Sequence, residues 1–513
     1  MSLSFIQSHP IWEQLVSRKR LILILLMSVL ALAGIALLAY VTPYGVGIYI
    51  DTLYYATSAR NLLNGIGMGR LTGTGVFKPM THYPPFYALA LAFTQLLGFD
   101  ILDGARWISL LAFGLVILLA GCIVWQRTRS LFFSLVTASL ALGSGVLLRT
   151  FSWAISEPLY IVFELTGFIL LAAYFKSSRR GWLVTVALVI GLALLTRYVG
   201  FSLLAAFALT LLANRSLDTS RRWVDAFLFL LLGLLPSTVW FVRNLWVSGT
   251  LANRVISWHP IPDAKFASLV TDVLSWGFIP QRIAIGREIL VFSLTAVLLL
   301  IGSLVWLARV WPRRGAVPTQ EMILLLSSWA YLGLLAVSLY WIDGTTPLNS
   351  RILMPLYLNI LLLAGIGMAL LWQRSTLFPR LIAVGLLLWL SYFTLTRLNG
   401  TIQDLTRDGQ GYASLQWKNS PTLQFVRQQD PLLVYTNDVT ALYFLTGKDS
   451  VGIPNSISEE AEFQAMRQNL RSSGGLLVLL GNLTGEFASQ EQLTQGMTQI
   501  GKFEDGSIYK FNP

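Results

Sequence analysis

Residues 181–213 read GWLVTVALVIGLALLTRYVGFSLLAAFALTLLA. About 20 apolar residues are needed to cross a bilayer core as a helix, so this run is either one long span or two short ones. Only Thr196-Arg197-Tyr198 interrupts it, and the choice reverses the direction of everything downstream. Charge in the connecting segments decides, because Lys and Arg mark the cytoplasmic side of short loops. Going outward from 181–213, the basic clusters are Lys176, Arg179 and Arg180 before it and Arg215, Arg221 and Arg222 after it. Further out lie Arg18-Lys19-Arg20, Arg127 and Arg129, then Arg309, Arg313 and Arg314, and finally Arg374 and Arg380. These sixteen cations occupy six alternate connections, and they stay in phase only if 181–213 is a hairpin.

The hairpin reading gives eleven spans, at about 21–42, 106–125, 131–148, 158–175, 181–196, 199–213, 223–246, 289–308, 321–341, 352–372 and 380–396. It places the N-terminus inside and the tail outside. Composition agrees. Of 513 residues 55% are hydrophobic and 12% charged, and the mean hydropathy is +0.64. A soluble protein carries about 25% charged residues, so a soluble globule is excluded. One cysteine, Cys122, rules out a disulfide framework. The net charge of +12 is largely the orientation signal and gives no argument for nucleic acid. The first run is long and no small-residue cleavage site follows it, so it reads as an uncleaved span. Trp107, Trp125, Trp182, Trp223, Trp246, Trp341 and Trp372 fall at span ends, as an interfacial belt requires.

The fold class expected is an α-helical polytopic membrane protein with a small C-terminal α/β extracytoplasmic domain. Residues 1–396 form the membrane part, with outer loops 43–105 and 247–288, and 397–513 form the tail. The tail holds nine Lys or Arg against twelve Asp or Glu. Leu432–Tyr435, Ala441–Leu445, Leu476–Leu480 and Ser507–Phe511 read as strands and Ser458–Leu470 as a helix. Asp438 and Asp449 read as turn residues.

A first outer loop of about 60 residues is long for a connector, and long loops tend to be functional. Asp51 to Gly65 reads as an amphipathic helix opened by Asp51, either as its N-cap or as a catalytic carboxylate. Lys78-Pro79-Met80-Thr81-His82-Tyr83-Pro84-Pro85 follows, a stiff stretch with a cation and an imidazole leading into an apolar return toward the membrane. Taken singly, Lys78 and His82 are interfacial anchors. Glu157, in Ser156-Glu157-Pro158, complements a helix dipole. Glu164 lies seven residues on along the same face, and an ionisable group at that depth is costly and usually paired or functional; an Arg partner is expected. Arg149, Arg197, Arg243 and Arg351 all fall at outer span ends. Four guanidinium groups on the side poor in positive charge point to a bound phosphate.

Five stretches carry a likeness: Tyr49-Ile50-Asp51 with its helix, KPMTHYPPFYALAL at 78–91, SEPLY at 156–160, PSTVWFVRNLWVSG at 236–249 and NSRILMPLYL at 349–358. Together they resemble the multi-span glycosyltransferases of the GT-C type, above all the bacterial relatives of protein O-mannosyltransferases and the aminoarabinose transferase that modifies lipid A. The resemblance implies a polyprenyl-phosphate sugar donor, transfer with inversion on the extracytoplasmic face of the plasma membrane, and Asp51 as catalytic base with Glu157 as the second outer-loop acid. It implies Arg351 as donor-phosphate ligand and matches Lys78 to a family lysine. Arg149, Arg197 and Arg243 join them as phosphate candidates. Tyr55, His82, Tyr83 and Glu164 are candidates for the acceptor side or the pocket. Phe77 replaces a metal-binding acid of the aminoarabinose group, and Asp51-Thr52 stands where the mannosyltransferases have an acidic pair. A divalent metal is therefore left open, as is the acceptor (lipid, glycan or protein).

The chemistry fits independently. Nucleotide sugars are absent outside the cytoplasm, and a polyprenyl phosphate leaves without protonation provided that cations stabilise its developing charge. One base within reach of the acceptor hydroxyl then suffices. The alternatives are a transporter or flippase of lipid-linked sugars, a glycan polymerase or ligase, and a catalytically dead relative. A transporter should show repeated halves and midplane binding groups, and neither is seen.

Overall fold

The computed structural model describes residues 10–276, 286–455, 457–483 and 487–512, with side chains of the first helix described from Leu21 onward. The side chains of Arg18-Lys19-Arg20 and part of the second outer loop, 277–285, lie outside the described residues.

All eleven apolar runs are helical. The chain opens with α1 (Pro10–Val41), and the first outer loop folds as α2 (Ile50–Leu63), the hairpin β1 (Gly69–Leu71) and β2 (Phe77–Pro79), and α3 (Phe86–Leu96). Then come α4 (Ile101–Thr128), α5 (Leu131–Leu142), α6 (Gly145–Phe151), α7 (Glu157–Ser177), α8 (Arg180–Thr196), α9 (Gly200–Leu212) and α10 (Thr219–Ser248). After α11 (Asp263–Ser275) in the second outer loop follow α12 (Glu288–Val310), α13 (Gln320–Val337), α14 (Met354–Trp372) and α15 (Leu377–Asp408). Among the described residues eight helices are long and apolar enough to span a membrane, and α5 with α6, bent by 54°, makes a ninth. The bend follows from Gly143 and from Ser144, whose Oγ accepts the Leu147 N–H and starts a new helix.

The hairpin at 181–213 is visible in its packing. Arg180 pairs with Asp225 and Gly191 lies against the Gly233 carbonyl, so α8 runs parallel to α10. Phe207 stacks on Phe229 and Phe201 on Phe241, so α9 runs antiparallel to it. The chain therefore reverses at Arg197–Val199. With 17 and 13 residues these two helices are about 25 and 20 Å long, shorter than the spans around them.

The ends of the bundle differ in what closes them. At the end rich in Lys and Arg, the carboxylate of fully buried Asp225 accepts from Tyr174 at 2.6 Å and from Arg180 at 2.8 Å, and Glu321 accepts from Arg127 at 2.8 Å. At the opposite end α2, β1, β2 and α3 cap the bundle.

The sequence boundary at 396/397 falls inside α15, which runs on to Asp408. The tail continues with α16 (Leu415–Lys418), α17 (Pro421–Gln429), β3 (Val434–Thr436), α18 (Val439–Thr446), β4 (Val451–Gly452), α19 (Glu460–Ser473), β5 (Leu476–Leu480), α20 (Gln490–Thr494), β6 (Thr498–Phe503) and β7 (Gly506–Lys510). Its sheet has the order β4-β3-β5-β7-β6, with β3 parallel to β4 and β5 and the β6–β7 hairpin antiparallel. One expected strand is a helix: Ala441–Leu445 belongs to α18. The Asp438 carboxylate caps it by accepting the Ala441 N–H at 2.9 Å, and Gly447 ends it at φ +75°. The aromatic and aliphatic content of that stretch serves burial, which local propensity cannot distinguish from a strand. The polar edge strand β6 escaped the sequence reading.

A small backbone junction joins tail to bundle. Gly47 bridges Trp153 and Ile48 bridges Gly411, both in parallel register. Gly411 has φ +52°, and a Cβ there would strike the Ile48 carbonyl and the Trp153 ring. Gly411→Val is expected to cost about 1–3 kcal/mol, read as a lower thermal midpoint together with faster proteolysis between Asp408 and Pro421.

Candidate active site

The junction fixes Tyr49, and Tyr49 opens α2. Its N–H donates to Thr52 Oγ1 at 3.0 Å, and Thr52 in turn donates to the Ala154 carbonyl at 2.8 Å. The N-cap is thus Tyr49, and the expectation that Asp51 caps the helix is corrected. Thr52 meets the orphan N–H, so the Asp51 carboxylate is free to turn elsewhere.

It turns to Arg351. The Arg351 guanidinium donates through Nη2 to Asp51 Oδ2 and through Nε to Glu157 Oε1, and it lies 4.8 Å from the Tyr49 ring centroid. Arg197 reaches the same Glu157 oxygen at 2.6 Å and Ser156 Oγ at 3.3 Å. Tyr83 Oη donates to Asp51 Oδ1 at 2.9 Å, and Tyr55 Oη donates to Ser156 at 3.2 Å. Two acids and two guanidinium groups, from four distant segments, thus form one neutral cluster. The side chains of Arg351 and Asp51 are only 16% and 13% exposed.

Burial works to lower the Arg351 pKa, but Glu157 and Asp51 outweigh it and hold the guanidinium above its ordinary range. Burial and the Asp51 charge push the phenols of Tyr55 and Tyr83 above theirs. Both tyrosines are therefore donors and neither is a base.

The other candidates are placed differently. His82 stands edge-on to Tyr83, and its Nε2 lies 3.1 Å from Arg254, which pairs with Asp343. Arg243 lies 4.7 Å from the Trp240 ring centroid and donates to the carbonyls of Met80 at 2.7 Å and Met68 at 3.1 Å. Read from the sequence as a phosphate ligand, it instead holds the backbone flanking the β1–β2 hairpin. Lys78 is exposed on β2 and makes no contact with the acids. Glu164 faces the interior as expected, but its neighbour is Asn359 and not an arginine.

Arg351 also lines a cavity of about 1,420 Å³ between α6, α11 and α15. Leu388, Trp389 and Tyr392 form its apolar wall, and they are 65%, 43% and 62% exposed on the outside of α15. The space is therefore open along the side of the bundle at α15. Its polar end carries Arg149, paired with Asp404 at 2.7 Å, and Arg397, whose guanidinium donates to the Leu274 carbonyl. Among the described residues no carboxylate pairs with Arg397. The sequence reading missed it because it falls at the first residue of the assigned tail, although it ends the last apolar run as the four other arginines end theirs. It also missed the Arg254–Asp343 pair.

Three or more His, Cys, Asp or Glu side chains do not converge anywhere among the described residues. Arg351 occupies the place between Asp51 and Glu157 that a bridging cation would take. The residues do not fit a resident divalent ion, and positive charge here is guanidinium charge.

The chain superposes on the crystal structure of ArnT from Cupriavidus metallidurans in the apo state with a TM-score of 0.59 at 12% identity, covering 95% of this chain and 98% of that one. The fold is GT-C. ArnT bound to undecaprenyl phosphate gives 0.52 at 14% identity over the same shares. The oligosaccharyltransferase AglB from Archaeoglobus fulgidus, in complex with an inhibitory peptide and a dolichol-phosphate, gives 0.57 at 12% identity over 90% of this chain and 70% of its own. No protein-family model and no curated protein matches the chain. What the GT-C likeness carries is architecture, with α2 and the start of α7 at one end of the bundle.

Two outcomes follow from the cluster. Arg351→Ala takes from Asp51 its only ion-pair partner among the described residues and from Glu157 one of two, and is expected to cost about 3–5 kcal/mol; adding Asp51→Asn should recover part of the thermal midpoint, because Glu157 keeps Arg197. Burial and Arg254 hold His82 below the ordinary imidazole range. The unfolded chain thus takes up this proton first, at about pH 6.5, and stability falls as pH drops through that value. In His82→Asn the thermal midpoint should fall less steeply over the same interval.

Proposed function

We propose that the protein is an inverting membrane glycosyltransferase that moves a sugar from a polyprenyl phosphate to an acceptor hydroxyl, with the site end facing away from the cytoplasm. One observation carries the reading. The guanidinium at the polar end of the laterally open cavity is the same group that holds Asp51 and Glu157. A hydrocarbon tail can lie along α15 while its headgroup meets Arg351, within reach of the acids. That ArnT and AglB have been solved with undecaprenyl phosphate and dolichol-phosphate supports a ligand of this class. The sixteen basic residues of the opposite connections support the orientation.

The charges suggest an order of events. Arg149 is offset by Asp404 and Arg351 is shared by two acids, so Arg397 is the first cation able to meet a phosphate. As the headgroup then draws on Arg351, Asp51 Oδ2 loses its donor while Oδ1 stays held by Tyr83. The acceptor hydroxyl gives its proton to Asp51 as its oxygen bonds the anomeric carbon. The bond from that carbon to the phosphate oxygen breaks, and the electron pair leaves with the polyprenyl phosphate, whose charge the guanidinium groups stabilise. Glu157, locked between Arg197 and Arg351, positions Arg351 and takes no proton.

Asp51→Asn should lower turnover by about 10²–10⁴-fold and leave undecaprenyl phosphate binding within twofold, whereas Arg397→Gln should weaken that binding. Mass spectrometry of cells carrying Asp51→Asn should show an accumulating polyprenyl-phosphate sugar, which names the donor, and a missing glycan, which names the acceptor. No change in either pool, or normal turnover by Asp51→Asn, would overturn the reading.

A further inference from the structure

Seven residues past Glu157 on α7, about 10 Å further into the bundle, lies Glu164, 2% exposed. Its carboxyl is within hydrogen-bond reach of the Asn359 carboxamide on α14. Asn359 Nδ2 donates to Ser328 Oγ on α13 at 3.3 Å. Among the described residues no ion pair reaches Glu164, and two buried acceptors here lack a donor: Glu164 Oε2 and Asn359 Oδ1. An ionised carboxylate in this place would be a charge without a counter-ion, set beside an amide oxygen that also needs a donor. A single proton answers both needs, because it converts one carboxyl oxygen into an O–H donor and supplies Asn359 Oδ1 with its hydrogen bond.

We propose that Glu164 is a neutral carboxylic acid bonded to Asn359, and that this uncharged contact is a positioning element setting the spacing of α7 and α14. The two helices carry the mouth of the site between them. Glu157 begins α7, and α14 begins three residues after Arg351. At the mouth they meet through the Glu157–Arg351 ion pair, which an anionic headgroup disturbs when it draws on Arg351. The deeper contact bears no charge, so a phosphate does not pull on it, and the spacing survives ligand entry. The consequence for lipid binding rests on the transferase reading above; the proton on Glu164 does not.

The test uses the full-length protein in lipid nanodiscs at neutral pH. Difference infrared spectroscopy of the wild type against Glu164→Gln should show a carboxylic-acid carbonyl band present only in the wild type and shifted in Asn359→Leu. In Glu164→Gln, whose amide also donates to Asn359, undecaprenyl phosphate should bind within about twofold of wild type. Glu164→Leu should bind about tenfold more weakly, because it leaves Asn359 unsatisfied. The thermal midpoint of each sample reports folding, and the losses in Glu164→Leu and Asn359→Leu should not add in the double variant. If Glu164→Leu does not fold, Asn359→Leu replaces it in the binding arm. The proposal is overturned if the band is absent, if Glu164→Gln is as impaired as Glu164→Leu, if folded Glu164→Leu binds like wild type, or if the midpoint losses are additive. Failure of the unaltered protein to bind undecaprenyl phosphate overturns the donor reading instead, and the band and the additivity still decide this one.

Discussion

One guanidinium constrains the whole arrangement. Arg351 touches Asp51, 300 residues before it, and Glu157, 194 residues before it, and each of the three would be costly to bury alone. Because Arg197 brings a second positive charge to Glu157, the cluster is neutral and can exist at the edge of an apolar bundle. The chain has to bring α2, the start of α7, the break between α8 and α9, and the turn before α14 to one point, and much of the fold is the means of doing so.

The division between charged and uncharged contacts follows the depth of the bundle. Both ends are closed by ion pairs, Asp225 and Glu321 at one and the Arg351 cluster at the other. Between them no ion pair occurs among the described residues, and the contacts are apolar or, at Glu164, Asn359 and Ser328, polar without a charged partner. Small residues let helices approach: Gly365 meets Thr137, and Gly143 and Gly145 meet Thr394 and Thr401 of α15. This last crossing joins α15 to α5 and α6 at the wall of the cavity that Arg351 lines.

Much of this was legible in the sequence because it is written in patterns of period and sign. Apolar run length gave the helices, and alternation of basic connections gave the reversal at Arg197–Val199, which the Phe207–Phe229 and Arg180–Asp225 contacts bear out. Arg351, Glu157 and Asp51 could be picked as candidates, yet their convergence could not, because it depends on tertiary packing and on Thr52 relieving Asp51 of the cap. Arg243 and Arg351 look alike as arginines at span ends; only the nearby Met80 and Met68 carbonyls separate them. The stretch Ala441–Leu445 failed for a related reason: a short buried helix and a buried strand draw on the same residues.

The Gly47–Trp153 and Ile48–Gly411 bridges bear on biosynthesis. The segment that orients Tyr49 and Asp51 is completed by a glycine 363 positions later in the chain. A nascent polypeptide that has emerged only as far as α15 already contains every acid and arginine of the cluster, but Ile48 still lacks its neighbour. The backbone pairing of the first loop is therefore complete only once the carboxyl-terminal segment has docked, and a prematurely terminated product would lack the neighbour of Ile48.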